Sequence, residues 1–282
     1  MTLPNKSLIL IDTSYTSFYR FFATIRWFSF AYPEEYKILK LDNKYDWSQN
    51  DIFIQKYEKM YLESIIKLVK KKIFDNSDII FCMDTPKEKL WRMEIQDNYK
   101  SGRCDLSLKH NFKTTFDYTY NVMIPKIIEQ NKNSHKLRID EVEADDIIAC
   151  ICIYLNNTNS LQNIYLVSGD NDFLQLGRDK LIFINYKKKK PFILNKHEAE
   201  VALKNKIING DPSDCIPSIF PKGKRINKKE ILDSDIKLNE YLENNSDIKN
   251  QYNKNKLMID FNNIPKKYFN KIIKLYNNIF SC

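Results

Sequence analysis

Three short apolar runs, each followed by an aspartate, constrain the fold of this chain more than any other feature. The runs are residues 8–11, 79–83 and 164–167. Their length and β-branched content are typical of buried parallel strands, and stretches with helical potential separate them. We therefore predict an α/β fold with a mostly parallel sheet flanked by helices.

Acidic residues follow all three predicted strands. Asp12 and Asp84 come directly after the first two, and Asp170 follows the third after a Ser-Gly pair. Because ligands of open α/β sheets bind at the carboxyl ends of the strands, we expect these aspartates to converge there. Two further acidic groups lie nearby in sequence: Glu143, Asp145 and Asp146, and the pair Asp170 and Asp172.

A compact set of carboxylates implies compensating cations, because like charges repel and are costly to bury. Oxygen ligands favour Mg²⁺ or Mn²⁺ over zinc, and two such ions can activate water and stabilise a leaving oxygen in phosphodiester hydrolysis. The alternative is that each acid only caps a helix or lies in a solvated loop. Any single aspartate fits that alternative well, but the repeated pattern favours the metal site.

Other segments predict the rest of the architecture. Amphipathic or acid-capped patterns predict helices over residues 55–74, 143–155 and 268–280, and residues 183–194 resemble a hairpin. We place an α/β core at 1–195, with an insertion at about 87–132 outside the sheet. Residues 196–282 look helical and polar, and we predict a second domain there.

The chain carries more basic than acidic residues. Lys and Arg number 45 against 36 Asp and Glu, which gives a formal net charge of +9 and suits a polyanion such as nucleic acid.

The six cysteines form no CxxC pair. Since no apolar stretch reaches the roughly 18 to 20 residues needed to span a bilayer, we expect a soluble intracellular protein.

The motifs, in their order along the chain, resemble the 5′ nuclease superfamily of flap endonucleases and 5′–3′ exonucleases, especially its phage and viral forms. The resemblance covers nearly the whole chain. It rests on six segments: LILIDTS at 8–14, IIFCMD at 79–84, WRMEIQDNYKSGR at 91–103, VEADDIIA at 142–149, LVSGDNDFLQL at 166–176, and GDPSDCIPSIFPKGK at 210–224. It implies a PIN-like α/β core with a helical arch and a C-terminal helix–loop–helix clamp.

The resemblance also implies a site with two divalent ions, Mg²⁺ or Mn²⁺. The residues implied for the first ion are Asp12, Asp84, Glu143 and Asp145. Those implied for the second are Asp145, Asp170, Asp172 and Asp211. Asp146 and Asp214 match acids that usually act indirectly.

The basic segment 91–103 matches the base of the family's arch. The resemblance implies that Lys100 and Arg103, with the acid Asp145, take part in catalysis, and that Arg92 and Tyr99 join these two cations in contacting nucleic acid. Arg92, Tyr99 and Arg103 recur at helical spacing. An ordinary solvated helix face is the alternative for such a stripe.

Residues 210–224 resemble the clamp that grips the backbone of duplex DNA, which implies contacts from Lys222 and Lys224 and a candidate K⁺ site. The segment departs from the family where many members have a Gly-x-Gly-x-Lys-Thr-Ala pattern, since this chain reads FPKGKRINKKEIL. That departure bears on the K⁺ ligands and leaves the acids unaffected.

The activity implied is hydrolysis of phosphodiesters near 5′ ends, flaps or primer junctions in DNA replication or repair. The expected substrate is branched, nicked or 5′-ended duplex DNA, or an RNA–DNA hybrid, bound by a monomer without a membrane; replication factors are conceivable partners that the sequence does not identify. Two alternatives stay open: a single-strand PIN-type ribonuclease, against which the predicted clamp argues, and a catalytically silent scaffold, against which the acids argue.

Overall fold

The computed structural model describes residues 6–101, 110–188, 190–221 and 226–280. Its centre is a parallel sheet of five strands in the order β3-β2-β1-β4-β5. The strands are β1 Ser7–Asp12, β2 Ser77–Met83, β3 Ser134–Arg138, β4 Ile164–Val167 and β5 Leu181–Ile184. The predicted α/β class and the three predicted strands are confirmed, whereas β3 was not anticipated.

Seven helices in the described ranges lie between the strands of this sheet. They are α1 Thr13–Ala31, α2 Pro33–Leu39, α3 Asp51–Val69, α4 Lys71–Asp75, α5 Phe112–Tyr118, α6 Ile124–Gln130 and α7 Ala144–Asn157. The helices predicted over 55–74 and 143–155 are confirmed, although the first is broken at Lys70, where φ is +78°. The predicted insertion begins with short 3₁₀ turns rather than a long helix.

The chain after the sheet is helical. The helices are α8 Lys196–Asn209, α9 Lys228–Asp233, α10 Asp235–Glu243, α11 Ser246–Ile259 and α12 Lys266–Ile279. Of the hairpin predicted over 183–194, the structure has a single antiparallel bridge between Phe183 and Phe192. Of the helices in the described ranges, none is long and apolar enough to cross a membrane.

Alternating residues of β1 face two apolar layers, as expected for a strand buried on both faces. Leu8 and Leu10 pack with α7 and with Ile272 of α12. Ile9 and Ile11 pack on the other face, in a layer formed mainly by α1 and α3. The last helix therefore returns to the sheet, while the predicted domain boundary near residue 195 stays a prediction.

The strand order places a crevice beside the carboxyl end of β1. The chain moves outward to β2 and β3 on one side and to β4 and β5 on the other, so the crossovers diverge at β1. Such divergence opens a ligand crevice at the carboxyl ends of the strands. The predicted strand-end acids lie at this edge.

Candidate metal centre

Asp12 ends β1 and caps α1. Its Oδ1 accepts a hydrogen bond from the Tyr15 amide at 3.0 Å, and its Oδ2 accepts one from the Ser168 hydroxyl at 2.8 Å. Asp84 follows β2, and its Oδ1 accepts from the Ala144 amide at 2.7 Å. Neither carboxylate has an ion-pair partner within 4 Å among the residues whose placement is given.

The electrostatics show that the strand-end acids are close to one another. Burial, and then the charge of Asp84, raises the pKa of Asp12 to about 7. Burial and the charge of Glu143 raise the pKa of Asp84. Burial, followed by the charges of Asp12 and Asp170, raises the pKa of Asp145 well above its ordinary value. Each of these carboxyl groups therefore binds a proton more readily than it would in water. A bound cation would lower these pKa values again.

Glu143 at the start of α7 has a contrasting environment. Its carboxylate accepts from the Arg92 guanidinium at 3.1 Å and from the Tyr99 hydroxyl at 2.9 Å, and it pairs with the Lys100 ammonium. Although burial alone would raise it, the charges of Lys100 and Arg92 lower the pKa of Glu143 to about 2. Protein cations therefore already neutralise this acid.

Asp146 is fully buried and bound by protein donors at both oxygens. Arg92 donates to Oδ1 at 2.8 Å and to Oδ2 at 2.9 Å, and the Trp91 indole and the Glu143 amide also donate to Oδ2. These donors favour the indirect role implied for Asp146, and its place among the metal ligands stays a prediction. Its contacts join Trp91 and Arg92 to the start of α7.

Arg92 and Tyr99, which were predicted to contact nucleic acid, are also buried. Each is only 4% exposed, and Arg92 also donates from Nε to the Met258 carbonyl at 3.0 Å, at the end of α11. The guanidinium thus binds Glu143, Asp146 and this carbonyl, while its contact with nucleic acid stays a prediction. The helical stripe expected through both residues is absent from the described segment, which forms a 3₁₀ helix at Trp91–Glu94 followed by turns.

Lys100 lies at the edge of the acids, with a left-handed backbone at φ +57°. Its side chain is 11% exposed and pairs with Glu143, and its amide donates to the Asp214 carbonyl at 3.2 Å. The structure thus puts this predicted catalytic cation between two acidic groups. The other predicted cations, Arg103, Lys222 and Lys224, lie outside the described residues.

A second acidic group lies across the crevice. Asp172, Asp211 and Asp214 each offer a carboxylate oxygen within 4.8 Å of the other two. Asp172 follows Asp170, whose Oδ1 accepts its amide at 2.9 Å, and the other two acids come from the turn after α8. Within the ranges given for the structure, no other trio of acids, cysteines or histidines meets this spacing.

Gly210 brings that turn back toward the sheet. It ends α8 at φ +69°, and a Cβ there would lie 2.4 Å from the Ile216 carbonyl. The Asp211 and Ile216 backbones then exchange hydrogen bonds of 2.8 and 2.9 Å. The glycine is needed both for its conformation and for the close backbone approach.

Lys206 of α8 was missed in the sequence. Its ammonium pairs with Asp172 and lies 2.9 Å from Oδ2 of Asp211. Although burial alone would raise it, hydrogen bonds from Ser213 and Lys206 keep the pKa of Asp211 below its ordinary value. The only sequence feature that pointed to Lys206 was its position in the last helical turn before Gly210 and Asp211. Many surface lysines lie in the last turn of a helix.

The two acidic groups line one cleft. Glu143 and Asp145 form part of its wall, opposite Asp172, Asp211 and Asp214. The candidate ligand atoms are carboxylate oxygens. These suit hard divalent cations, including octahedral ions that keep several bound waters. Burial and repulsion between neighbouring carboxylates raise the pKa values at the strand ends, and Lys206 pairs with both Asp172 and Asp211. The residues therefore fit divalent metal ions.

The fold and the cleft define an acid-lined α/β metalloenzyme. Comparison with known families narrows this class: the N-terminal resolvase-like domain of the 5′–3′ exonucleases matches residues 7–206. The chain belongs to the 5′–3′ exonuclease family. It is thus a 5′ nuclease that depends on divalent metal ions, and the predicted superfamily is confirmed.

Individual relatives agree with this assignment. Ribonuclease H of Enterobacteria phage T4 is 28% identical over 243 residues, covering 78% of this chain and 76% of the relative. The bacteriophage T5 D15 protein crystallised with metal ions is 16% identical, covers 97% of this chain and 99% of its own, and has a TM-score of 0.61. A T5 D15 flap endonuclease complex with DNA and metal ions has a TM-score of 0.62 at 16% identity, covering 97% and 98%. These structures support the fold.

Proposed function

We propose that this protein is a structure-specific 5′ nuclease that cleaves DNA near 5′ ends, flaps or primer junctions with two Mg²⁺ or Mn²⁺ ions. One observation carries the proposal. Asp12, Asp84 and Asp145 crowd the carboxyl edge of the sheet with raised pKa values, and none of the three has a protein cation within 4 Å among the described residues. Such an arrangement costs stability unless cations bind there.

We assign one ion to Asp12, Asp84 and Asp145, with Glu143 at its border. The second belongs to Asp172, Asp211 and Asp214, with Asp145 and Asp170 between the two positions. When bound, the ions would lower the pKa of an attacking water and neutralise charge on the phosphate and the leaving oxygen. The ordered hydrogen bonds from Ser168 and Ala144 hold Asp12 and Asp84 in place for this task.

Lys100 supplies the protein's own positive charge beside the scissile phosphate. It pairs with Glu143, and its charge partly opposes the rise in the pKa of Asp84 that burial and Glu143 cause, which means that its field reaches the strand ends. A fixed cation at that distance stabilises charge that develops on a phosphate in the transition state. Arg103 on the same segment is proposed to share this role.

Binding of DNA is supported by charge and by relatives. A formal net charge of +9 attracts the phosphate backbone without reading sequence, which suits an enzyme that recognises the shape of a junction. The relatives are named a ribonuclease H and a flap endonuclease bound to DNA. We therefore extend the proposed substrates to RNA–DNA hybrids at primer ends, with Lys222 and Lys224 as backbone contacts and K⁺ as a candidate ligand of their loop.

The proposal is tested with 5′-labelled flap, nicked duplex, RNA–DNA hybrid and single-stranded RNA, each incubated with Mg²⁺ or EDTA. We expect cleavage of the junction substrates in Mg²⁺ alone, and loss of cleavage in Asp145→Asn. Asp247→Asn, which changes an exposed acid at the start of α11, is the matched control and should cut normally. Equal cutting of single-stranded RNA would indicate a PIN-type ribonuclease, and metal-independent binding without cutting would indicate a scaffold.

A further inference from the structure

Lys206 occupies the gap between two acids of the second ion position. Its side chain is 21% exposed and pairs with both Asp172 and Asp211. It is also part of the cleft wall together with Glu143 and Asp145. An ammonium group therefore lies where the proposed second ion would find its ligands.

The local backbone builds this contact. Lys206 is in the last turn of α8, and its carbonyl accepts the Gly210 amide at 2.8 Å. The turn at Gly210 then folds Asp211 back beside the helix end, where the Ser213 amide and hydroxyl donate to Oδ1 of Asp211 at 2.9 and 2.6 Å. Serine donors thus hold one oxygen of Asp211, and Lys206 takes the other.

Charge makes the lysine and a divalent ion competitors. Asp172, Asp211 and Asp214 carry three formal negative charges, and an ammonium between them neutralises one. It also occupies an oxygen of Asp172 and an oxygen of Asp211, which a metal ion would need. Two cations a few ångströms apart repel each other strongly in a partly buried cleft.

We propose that Lys206 is a tethered counter-ion of the second ion position. It holds Asp172 and Asp211 together before the ion binds, and the ion displaces it. The second ion consequently binds more weakly than the acids alone would bind it. This inference rests on the proposed function, because it requires that a divalent ion binds these acids.

The same helix supplies a matched control. Lys204 is two residues away, its side chain is 20% exposed, and it pairs at 2.6 Å with Asp235, an exposed acid at the start of α10. Lys204→Met removes an ion pair of the same type from the same helix but leaves the cleft unchanged. Any effect of general charge or helix stability should therefore appear in both variants.

The test is calorimetric titration of metal-free protein with Mn²⁺, without nucleic acid, together with thermal unfolding in EDTA and in Mn²⁺. Wild type should bind two ions with different affinities. In Lys206→Met the weaker ion should bind about tenfold tighter, as loss of a neighbouring positive charge predicts. Lys206→Gln, which keeps a polar side chain, should shift the same affinity in the same direction, and Lys204→Met should match wild type.

Unfolding supplies the second readout. Without metal, Lys206→Met should melt at a lower temperature than wild type because Asp172 and Asp211 then repel each other. Its rise in melting temperature on adding Mn²⁺ should exceed that of wild type, since a ligand stabilises in proportion to its binding free energy. A purely structural lysine would lower both melting temperatures equally.

The outcomes separate this inference from the proposed function. Unchanged or weaker Mn²⁺ binding in both Lys206 variants, with two ions still bound by wild type, overturns the counter-ion role and leaves the proposed function intact. Absence of Mn²⁺ binding by wild type overturns both. Weaker binding of DNA in EDTA, with Mn²⁺ affinity unchanged, would assign Lys206 to phosphate contact instead.

Discussion

Two groups of buried acids lie near each other in the fold, since the charge of Glu143 acts on Asp84, and they differ in the cations that pair with them. Asp146 and Glu143 are paired with Arg92 and Lys100, and the pKa of Glu143 falls to about 2. Asp12 at the strand edge is equally buried, but within the described residues its hydrogen-bond donors are the Tyr15 amide and the Ser168 hydroxyl, and its pKa rises to about 7.

The difference distinguishes acids that stabilise the fold from acids that suit a metal ion. Acids that the protein neutralises itself join the segment from Trp91 to Lys100 to α7, and Arg92 of that segment also binds the end of α11. Acids that it leaves without a cation repel one another, and this repulsion destabilises the folded protein until an external cation binds. Asp172 and Asp211 combine both properties, because Lys206 neutralises them and they also suit a metal ion.

The largest expected effects come from replacing one aspartate in each group of acids with asparagine. Asp12→Asn should lower cleavage in Mg²⁺ by about 10³-fold, since a ligand of the activating ion is lost. The same change should stabilise the metal-free protein at pH 8, because it removes a buried repelling charge. Flap-cleavage rates and urea unfolding in EDTA measure the two effects.

Asp146→Asn is the counterpart and should destabilise the metal-free protein, because Arg92 loses its partner. If both variants change the free energy of unfolding in the same direction, the contrast between the two groups is wrong.

Arg92→Met tests the neutralised group from its basic side. We expect the free energy of unfolding to fall by about 3–5 kcal/mol, because Asp146 would stay buried without its cation. Urea unfolding measures the loss, and the double variant Arg92→Met/Asp146→Asn should recover part of it. A loss below about 1 kcal/mol combined with weaker DNA binding would instead support a phosphate contact.

The pH dependence of stability should differ between metal-free and metal-bound protein. The folded-state pKa of Asp12 is about 7 and its ordinary value is 3.8, so the folded state binds more protons between these values. In EDTA, stability should therefore fall as the pH rises from about 4 to 7. Saturating Mg²⁺ should reduce this fall.

The control for this dependence is Asp12→Asn, whose stability in EDTA should change less over the same pH window. An equally steep fall in that variant would show that the titrating charge lies elsewhere.

The smallest expected effect is that of Tyr99→Phe. It removes the 2.9 Å hydrogen bond to Glu143 but keeps the two cations, so stability should fall by about 1 kcal/mol. Thermal unfolding checks the loss. Affinity for duplex DNA should stay unchanged in a filter-binding assay, and a marked loss of that affinity would return Tyr99 to the substrate-binding surface.

The strands and the acids at their ends were predictable because local signals specify them. Residues 8–11 and 79–83 are apolar throughout, and a buried parallel strand needs little else. The short strand β3 was missed since its sequence, SHKLR, has a single apolar residue and lies at the edge of the sheet. Edge strands carry weaker patterns because one side stays open to solvent.

The surroundings of Arg92 were not predictable from the local sequence. Helical spacing from Arg92 to Tyr99 fits an exposed stripe and a buried one equally well. The partner that decides the matter, the Met258 carbonyl, is 166 positions away. For Lys206, too, only the fold of the turn at Gly210 brings Asp211 within reach.

The most direct test of the account is the location of bound ions in crystals soaked with Mn²⁺, read from anomalous scattering. We predict one peak contacting Asp12, Asp84 or Asp145 and a second contacting Asp172, Asp211 or Asp214, with the Arg92 to Asp146 pair undisturbed. A peak bound to Asp146 with Arg92 displaced, or no peak at the strand-end acids, would contradict the central claim.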